Sequence, residues 1–325
     1  MKETKYGMGA DIIKRATKSA AFGIVMILLV MSAFLSFASE QFLTQDNLLS
    51  VFRQFSFIGI MAIGQVMVII TGGIDLSVGS IFAFAGVTSA FAMTKLGMSV
   101  PVGICIGLFS GLLFGLLNGF FITRLYLPPF IATLGTLSIA RGLSYALTSG
   151  FPLPNLPASY KFIGQGYIGI IPFPVVLLLV LGFIFTFFLN NTIVGRRIYA
   201  TGSNEEAARV SGVNTKRIKM FVYSFSGILA GFAGMATAAR LGVAQSTAGT
   251  GYELDAIAAV IIGGASVTGG VGTVFGTIIG AAIMGVLKNG LILLSVSAYW
   301  QQTVIGVVII LAVTFDIMRH RFRTK

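Results

Sequence analysis

Long apolar stretches separated by short polar or glycine-rich segments run along most of the chain. Ten can be counted, and most approach the roughly 20 residues that an α-helix needs to cross a bilayer. The pattern predicts an all-α, polytopic transmembrane helix bundle that forms a single domain over residues 1–325. The stretches lie near residues 20–38, 51–71, 76–94, 100–123, 130–148, 172–190, 218–240, 253–266, 272–295 and 299–317.

The scarcity of charged residues supports this interpretation. The 325 residues are 56% hydrophobic and 10% charged, whereas a soluble domain carries roughly 25% charged residues. No separate soluble domain is visible. The first stretch follows a basic segment, as in a signal peptide, but its length and the stretches after it predict an uncleaved first helix.

Basic residues predict the orientation of the chain. The net charge is +12, and the positive residues cluster in the N-terminal segment 1–19, the loop 191–217 and the tail 318–325. Because cytoplasmic segments carry an excess of Lys and Arg, all three are expected in the cytoplasm, which agrees with an even number of spans. Arg53 and Lys95 lie on the other side and weaken the pattern. Nucleic-acid binding is disfavoured, since no basic face exists elsewhere.

Glycine placement predicts close packing and two broken helices. Gly107, Gly111 and Gly115 share one helix face, which lets helices approach closely in lipid. Residues 68–80 and 260–273 resemble each other, since each is an apolar run broken by a glycine pair. Transporter folds place such breaks in corresponding positions near the substrate path. Segment 149–171, by contrast, contains three of the eight prolines and is expected to be an outer loop lying against the membrane face.

No enzyme site is visible in the sequence. The only histidine, His320, lies in the basic tail, and Cys105 lies alone within an apolar stretch. No lysine follows a glycine, so the phosphate-binding motif G-x-x-x-x-G-K-[ST] is absent. We therefore expect no catalytic site, metal or cofactor, and any ATP that drives this protein must bind another polypeptide.

The loop 191–217 gives the strongest functional signal. Ser203 and Glu206 form a capping box, Glu205 adds a second acid to the first turn, and Gly212 suits a left-handed helix stop. A helix this short is unstable alone in water, so either it rests on the bundle as a connector or it docks into a motor subunit. The predicted helix of about two turns continues through Ala207, Ala208 and Arg209.

Two acidic motifs lie between apolar stretches. Asp75 follows Gly72 and Gly73 and precedes Ser77; it either faces a cavity or partner, or caps the next helix at a water-exposed turn. Glu253 and Asp255 either are interfacial charges at the start of a span, or line a gate at the outer mouth.

Three segments together resemble the permease subunits of ribose-type ABC importers. They are residues 72–80, the loop 195–212, and residues 247–264, and the resemblance extends over about residues 20–318. Permeases for xylose, galactose, arabinose and autoinducer-2 share much of the pattern, and the match is closest to the ribose type. The family's Glu-Ala-Ala core is kept here as Glu206, Ala207 and Ala208.

The resemblance implies a multi-pass protein of the bacterial plasma (inner) membrane and several partners. These are a second permease copy, a cytoplasmic ATPase with tandem nucleotide-binding domains, and a periplasmic or lipid-anchored sugar-binding protein. The ATPase-coupling residues would then be Ser203, Glu205, Glu206, Ala207, Ala208, Arg209 and Gly212. The resemblance assigns no role to Asp75, Glu253 or Asp255.

A neutral sugar needs a wet, weakly polar path, because crossing lipid strips its hydroxyl groups of hydrogen bonds. The main rival is a stand-alone secondary transporter or facilitator, in which intramembrane acids would bind the coupling ion. A structural or receptor protein is a third possibility, but it does not explain the capped helix.

Snorkelling to an interface explains the basic residues Arg141, Arg240 and Lys288 at least as well as substrate contact. Candidates to line the path are Asn118, Thr133, Thr136, Ser138 and Asn289, with Gly72, Gly73, Asp75, Ser77, Glu253 and Asp255 as path or gate residues.

Overall fold

The described residues form a bundle of α-helices with one short β-hairpin. This computed structural model describes residues 20–323, with side chains at 22–297 and 299–314. The N-terminal segment 1–19 and the side chains of the tail 318–325, both predicted to be cytoplasmic, lie outside the described residues. The helices are α1 (Ala20–Ala38), α2 (Gln45–Ile70), α3 (Val78–Thr94), α4 (Val100–Thr123), α5 (Pro129–Thr148), α6 (Ala158–Gln165), α7 (Phe173–Asn191), α8 (Ile193–Ser203), α9 (Glu205–Val210), α10 (Thr215–Leu241), α11 (Tyr252–Ile262), α12 (Val274–Leu293) and α13 (Ala298–Arg323).

Every predicted apolar stretch contains a helix, but their lengths differ. Within the described part of the chain, six helices are long and apolar enough to cross a membrane: α2, α4, α5, α7, α10 and α12. The stretch 253–266 is only partly helical, because α11 ends at Ile262. Its 11 residues rise only about 16 Å, roughly half of the hydrocarbon core. Gly264 follows with a φ of +88°, a conformation in which glycine carries no steric penalty.

Helices α2 and α10 form the centre of the bundle. The side chains of α2 are buried almost without interruption from Ser56 to Ile70, and α10 packs against α2, α3 and α4. The predicted glycine face of α4 is confirmed as a close packing surface. A Cβ atom at Gly111 would lie 2.4 Å from the Gly227 carbonyl oxygen, and one at Gly115 equally close to that of Tyr223.

The segment expected to be an outer loop has more structure than predicted. It contains α6 and an antiparallel hairpin of β1 (Tyr167–Ile168) and β2 (Ile171–Pro172). Gly164 in α6 lies against the backbone of Arg240, so a Cβ there would be 2.3 Å from the Arg240 nitrogen. The proline-rich segment before α6 pairs with the loop that follows α10 through an antiparallel β-bridge between Leu153 and Ala244.

Candidate functional site

The two predicted helix breaks meet in space. Helix α2 ends at Ile70, and the Ile70 carbonyl accepts a hydrogen bond of 2.8 Å from the backbone N–H of Gly270, which lies between α11 and α12. Gly269 packs against Gly72, with positive φ angles of +89° and +77°. We call this contact the break joint (residues 70–73 and 269–272).

Helix α8 packs directly on the break joint. The Tyr199 hydroxyl donates a 2.8 Å hydrogen bond to the Gly272 carbonyl. A Cβ atom at Gly202 would lie 1.6 Å from the Ile70 carbonyl oxygen, so only glycine fits this approach. Neither residue was a site candidate in the sequence, where nothing indicated that Ile70 and Gly272 would lie together.

Helix α9 is the short capped helix predicted in the loop 191–217, but its cap is different. Ser203 is the last residue of α8, and its hydroxyl donates to the Tyr199 carbonyl at 2.9 Å. The capping-box prediction is therefore wrong. Asn204 is the N-cap instead: its backbone is extended and its side chain accepts from the Ala207 N–H at 2.9 Å. Asparagine is at least as good an N-cap as serine.

The two glutamates of α9 form surface ion pairs rather than caps. Glu206 pairs with Arg209 at 2.6 Å within the helix, and Glu205 pairs with Lys219 of α10 at the same distance. The Glu206 carboxylate raises the pKa of the exposed Arg209. The second pair ties α9 to the start of α10.

The end of α9 confirms the predicted glycine stop. Gly212 has a φ of +84°, and its N–H donates to the Arg209 carbonyl while the Val213 N–H donates to the Ala208 carbonyl, both at 3.0 Å. These two bonds are the Schellman pattern. Ala208 is buried against the bundle, whereas Val210 is 79% exposed. The helix is thus anchored on one side and presents a mixed charged and apolar surface on the other.

Asp75 is the centre of a buried polar network. It is 0% exposed, so the interpretation as a water-exposed turn is wrong. One carboxylate oxygen accepts from the Ser77 N–H at 2.9 Å and from the Ser77 hydroxyl at 2.5 Å, and the other accepts from the Ser226 hydroxyl at 3.2 Å. With its side-chain amide turned over, Gln65 donates to the Asp75 carbonyl and accepts from the Asp75 N–H.

The network continues through two predicted path residues. The Asn118 amide donates to the Ser77 hydroxyl at 2.8 Å, and the Thr136 hydroxyl donates to the Asn118 carbonyl oxygen at 2.6 Å. Thr133 donates to the Ile74 carbonyl at 3.3 Å. These side chains therefore link α4, α5 and α10 to the turn between α2 and α3, and within the described chain they face one another rather than an open cavity.

Gly73 and Tyr223 lie beside this network. A Cβ atom at Gly73 would fall 2.3 Å from the Tyr223 hydroxyl oxygen, so this glycine is required by close approach. The Tyr223 hydroxyl is buried and has no hydrogen-bond partner among the described residues.

Glu253 and Asp255 both lie in the first turn of α11 but differ in their surroundings. Asp255 is buried and forms an ion pair with Lys288 of α12. Glu253 lies against Gly79, and one of its oxygens is buried without a hydrogen-bond partner among the described residues. Their predicted role as a gate stays a prediction.

The three basic residues near the membrane interior make specific internal contacts, and snorkelling is not needed to explain them. Arg141 donates to the carbonyls of Ser246 and Ala248, and also to that of Gly79 at 3.3 Å. It therefore satisfies backbone groups that the irregular segment before α11 leaves unpaired. Arg240 donates to the Ser50 hydroxyl at 3.2 Å.

The remaining path candidates are separate from this network. The Asn289 amide exchanges two hydrogen bonds with Asn47, and Ser138 is exposed on α5. Among the described residues, no group of three or more His, Cys, Asp and Glu side chains could hold a metal ion.

Comparison with known proteins identifies the family. Residues 47–313 match the family described as "Branched-chain amino acid transport system / permease component". The chain belongs to this family. The permease is 44% identical over 291 residues to the ribose import permease protein RbsC of Bacillus subtilis, covering 89% of this chain and 90% of that one.

Two further relatives extend the comparison. The ribose import permease protein RbsC of Escherichia coli K12 is 43% identical over 297 residues, with 90% and 92% of the two chains covered. The xylose transport system permease protein XylH of Haemophilus influenzae is 35% identical, with 90% and 95% covered. No solved structure matches the permease. It is an integral membrane transport component.

Proposed function

We propose that the permease forms the membrane path of an ATP-driven importer for a monosaccharide, with ribose as the substrate. The family description mentions branched-chain amino acids, but the relatives that match about 90% of the chain at 43–44% identity are ribose import permeases. A sugar hydroxyl needs hydrogen-bond partners along its route.

The observation that carries the proposal is the position of α9. Its outer surface is free, while α8, which precedes it, packs on both broken segments through Gly202 and Tyr199. A cytoplasmic ATPase that pushes on α9 would therefore act on α2, α11 and α12 together. In this proposal Glu205, Glu206 and Arg209 contact the ATPase, and Ala208 and Gly212 hold the helix in place.

In this proposal the chain crosses the membrane ten times, with both termini in the cytoplasm. Six crossings are the long apolar helices, three are α1, α3 and α13, and the tenth is the half-length α11. The segment from α8 to the first turns of α10 contains six Lys and Arg residues between 196 and 219, which suits the cytoplasmic side.

A second permease copy would pack against α5. Helices α5 and α7 are equally exposed, but the mean hydropathy of α5 is 1.3 and that of α7 is 2.4. The exposed face of α5 carries Gly135, Ser138 and Gly142, and nothing lies within 4 Å of a Cβ at either glycine. Small and polar residues on an exposed span suit helix contact or a wet path better than lipid.

The decisive experiment is uptake of labelled ribose by proteoliposomes that contain the permease, with and without the ATPase and a sugar-binding protein. We expect ATP-dependent uptake only with all components, and its loss in Glu206→Lys with normal insertion. Sustained uptake by the permease alone would instead establish the secondary-transporter alternative.

A further inference from the structure

A cleft of about 390 Å³ opens where α4 ends and α10 begins. Its exposed lining, the rim, carries Arg124, Lys216 and Arg217, and its half-buried lining, the wall, is formed by Met220 and Phe221. Lys216 and Met220 are four residues apart on α10, as are Arg217 and Phe221, so each cation lies one turn above an apolar side chain on the same helix face.

The positive charge of this cleft is uncompensated. The loop between α7 and α10 contains two acids, and both are engaged elsewhere: Glu205 with Lys219, and Glu206 with Arg209. Lys216 contacts the hydroxyl and the ring face of Tyr126. Among the described residues no carboxylate pairs with Arg124, Lys216 or Arg217. The positive end of the α10 dipole adds to the field.

The neighbourhood of the cleft is apolar in the direction of the bilayer. Phe120 lies in the last turn of α4, four residues before Arg124, and is 45% exposed; Leu125 lies in the linker after α4 and is 54% exposed. A rim of cations above an apolar wall, at the end of two membrane-crossing helices, matches a ligand with an anionic head and an apolar body. A soluble acidic protein surface would use the rim but leave the wall unfilled.

We propose that this cleft binds the phosphate headgroup of an anionic phospholipid, with the start of an acyl chain against Met220 and Phe221. Arg124 and Arg217 contact the phosphate oxygens, since guanidinium groups suit them in geometry and charge. The site adjoins α9 through the linked side chains of Glu205 and Lys219, so its occupancy stabilises the base of the proposed docking helix.

The test uses the full-length permease in phosphatidylcholine nanodiscs with a rising share of phosphatidylglycerol. Two readouts are the midpoint of thermal unfolding and the number of phosphatidylglycerol molecules retained per chain in native mass spectrometry. The variant is Arg124→Gln/Arg217→Gln. The matched control is Arg196→Gln/Arg197→Gln, which removes the same charge from exposed positions on α8, outside the cleft.

We expect wild type and control to be stabilised by phosphatidylglycerol and to retain one lipid more than the variant. At about 1 kcal/mol per cation near an anionic surface, the variant should bind about 30-fold more weakly. Equal stabilisation of variant and control would overturn the proposal. So would equal stabilisation by inorganic phosphate at matched ionic strength, which would indicate a free-anion site, or loss of ATPase binding with unchanged lipid binding, which would indicate a protein-docking surface.

Discussion

Replacing Gly202 by alanine tests whether α8 transmits motion to the broken helices. The new Cβ would lie 1.6 Å from the Ile70 carbonyl oxygen and 2.7 Å from the Gly270 nitrogen, whereas real Cβ contacts are essentially never closer than 3.0 Å. To relieve the first contact alone, α8 and the end of α2 must separate from 1.6 Å to 3.0 Å, a displacement of about 1.4 Å. Because α2 is held in the buried core, α8 is the element that moves.

The energetic effect follows from two terms. Overpacking at a tight contact costs about 1–3 kcal/mol, and disturbing the 2.8 Å hydrogen bond between Gly270 and Ile70 costs about 1 kcal/mol more. This total of roughly 2–4 kcal/mol destabilises the contact between α8 and the break joint rather than the fold of the helix bundle. We therefore expect Gly202→Ala to insert and fold while losing most of its uptake per ATP hydrolysed.

The assay measures labelled-ribose uptake and ATP hydrolysis together, in proteoliposomes with the ATPase and the sugar-binding protein. Gly23→Ala is the matched control, because nothing lies within 4 Å of a Cβ at that position. Tyr199→Phe removes only the hydroxyl that bonds the Gly272 carbonyl and should give a smaller defect in the same direction. Uptake per ATP in Gly202→Ala equal to that of the control would refute the role of α8.

Three further predictions concern local structure, each checked by the thermal unfolding midpoint in detergent. Asn204→Ala should destabilise α9 by about 1 kcal/mol and reduce ATPase binding, whereas Ser203→Ala should change neither. The reverse ranking would show that Ser203, and not Asn204, is the N-cap. Asp75→Ala should lower the free energy of unfolding by about 3 kcal/mol, because it leaves several buried donors without a hydrogen-bond acceptor. Asp75→Asn should cost less, and equal effects of the two substitutions would contradict the network. Lys288→Met should cost about 3–5 kcal/mol by leaving Asp255 buried and unpaired, and adding Asp255→Leu should recover part of it; no recovery would exclude the ion pair as the cause.

The sequence predicted helices better than it predicted their ends. Hydropathy located all ten apolar stretches because each helix must present apolar side chains along most of its length. It overextended α11, since the stretch was counted through the glycine pair to residue 266, whereas the helix ends at Ile262. It also chose Ser203 over Asn204 as the cap, because both residue types cap well and only the extent of α8 decides between them.

The candidate site was predicted less completely, since its key contacts are long-range. The glycine pairs indicated two breaks, but no local signal showed that Ile70 and Gly270 would be bonded or that Gly202 would lie against them. Arg141 was missed as a structural residue for a related reason. Its role depends on unpaired carbonyls at residues 246 and 248, and an irregular segment in a membrane protein must have such donors nearby.

The placement of the carboxylates bears on the source of energy for transport. An ion-driven transporter needs an acid that can be exposed alternately to either side and can exchange its cation or proton. Asp75 is fully buried and accepts hydrogen bonds on both oxygens, and Asp255 is held by Lys288. Both acids thus hold partners on neighbouring elements, and their role in a path or gate stays a prediction. In the proposed function, work on the bundle is delivered from outside it, and α9, exposed and joined through α8 to both broken segments, is the surface that receives this work.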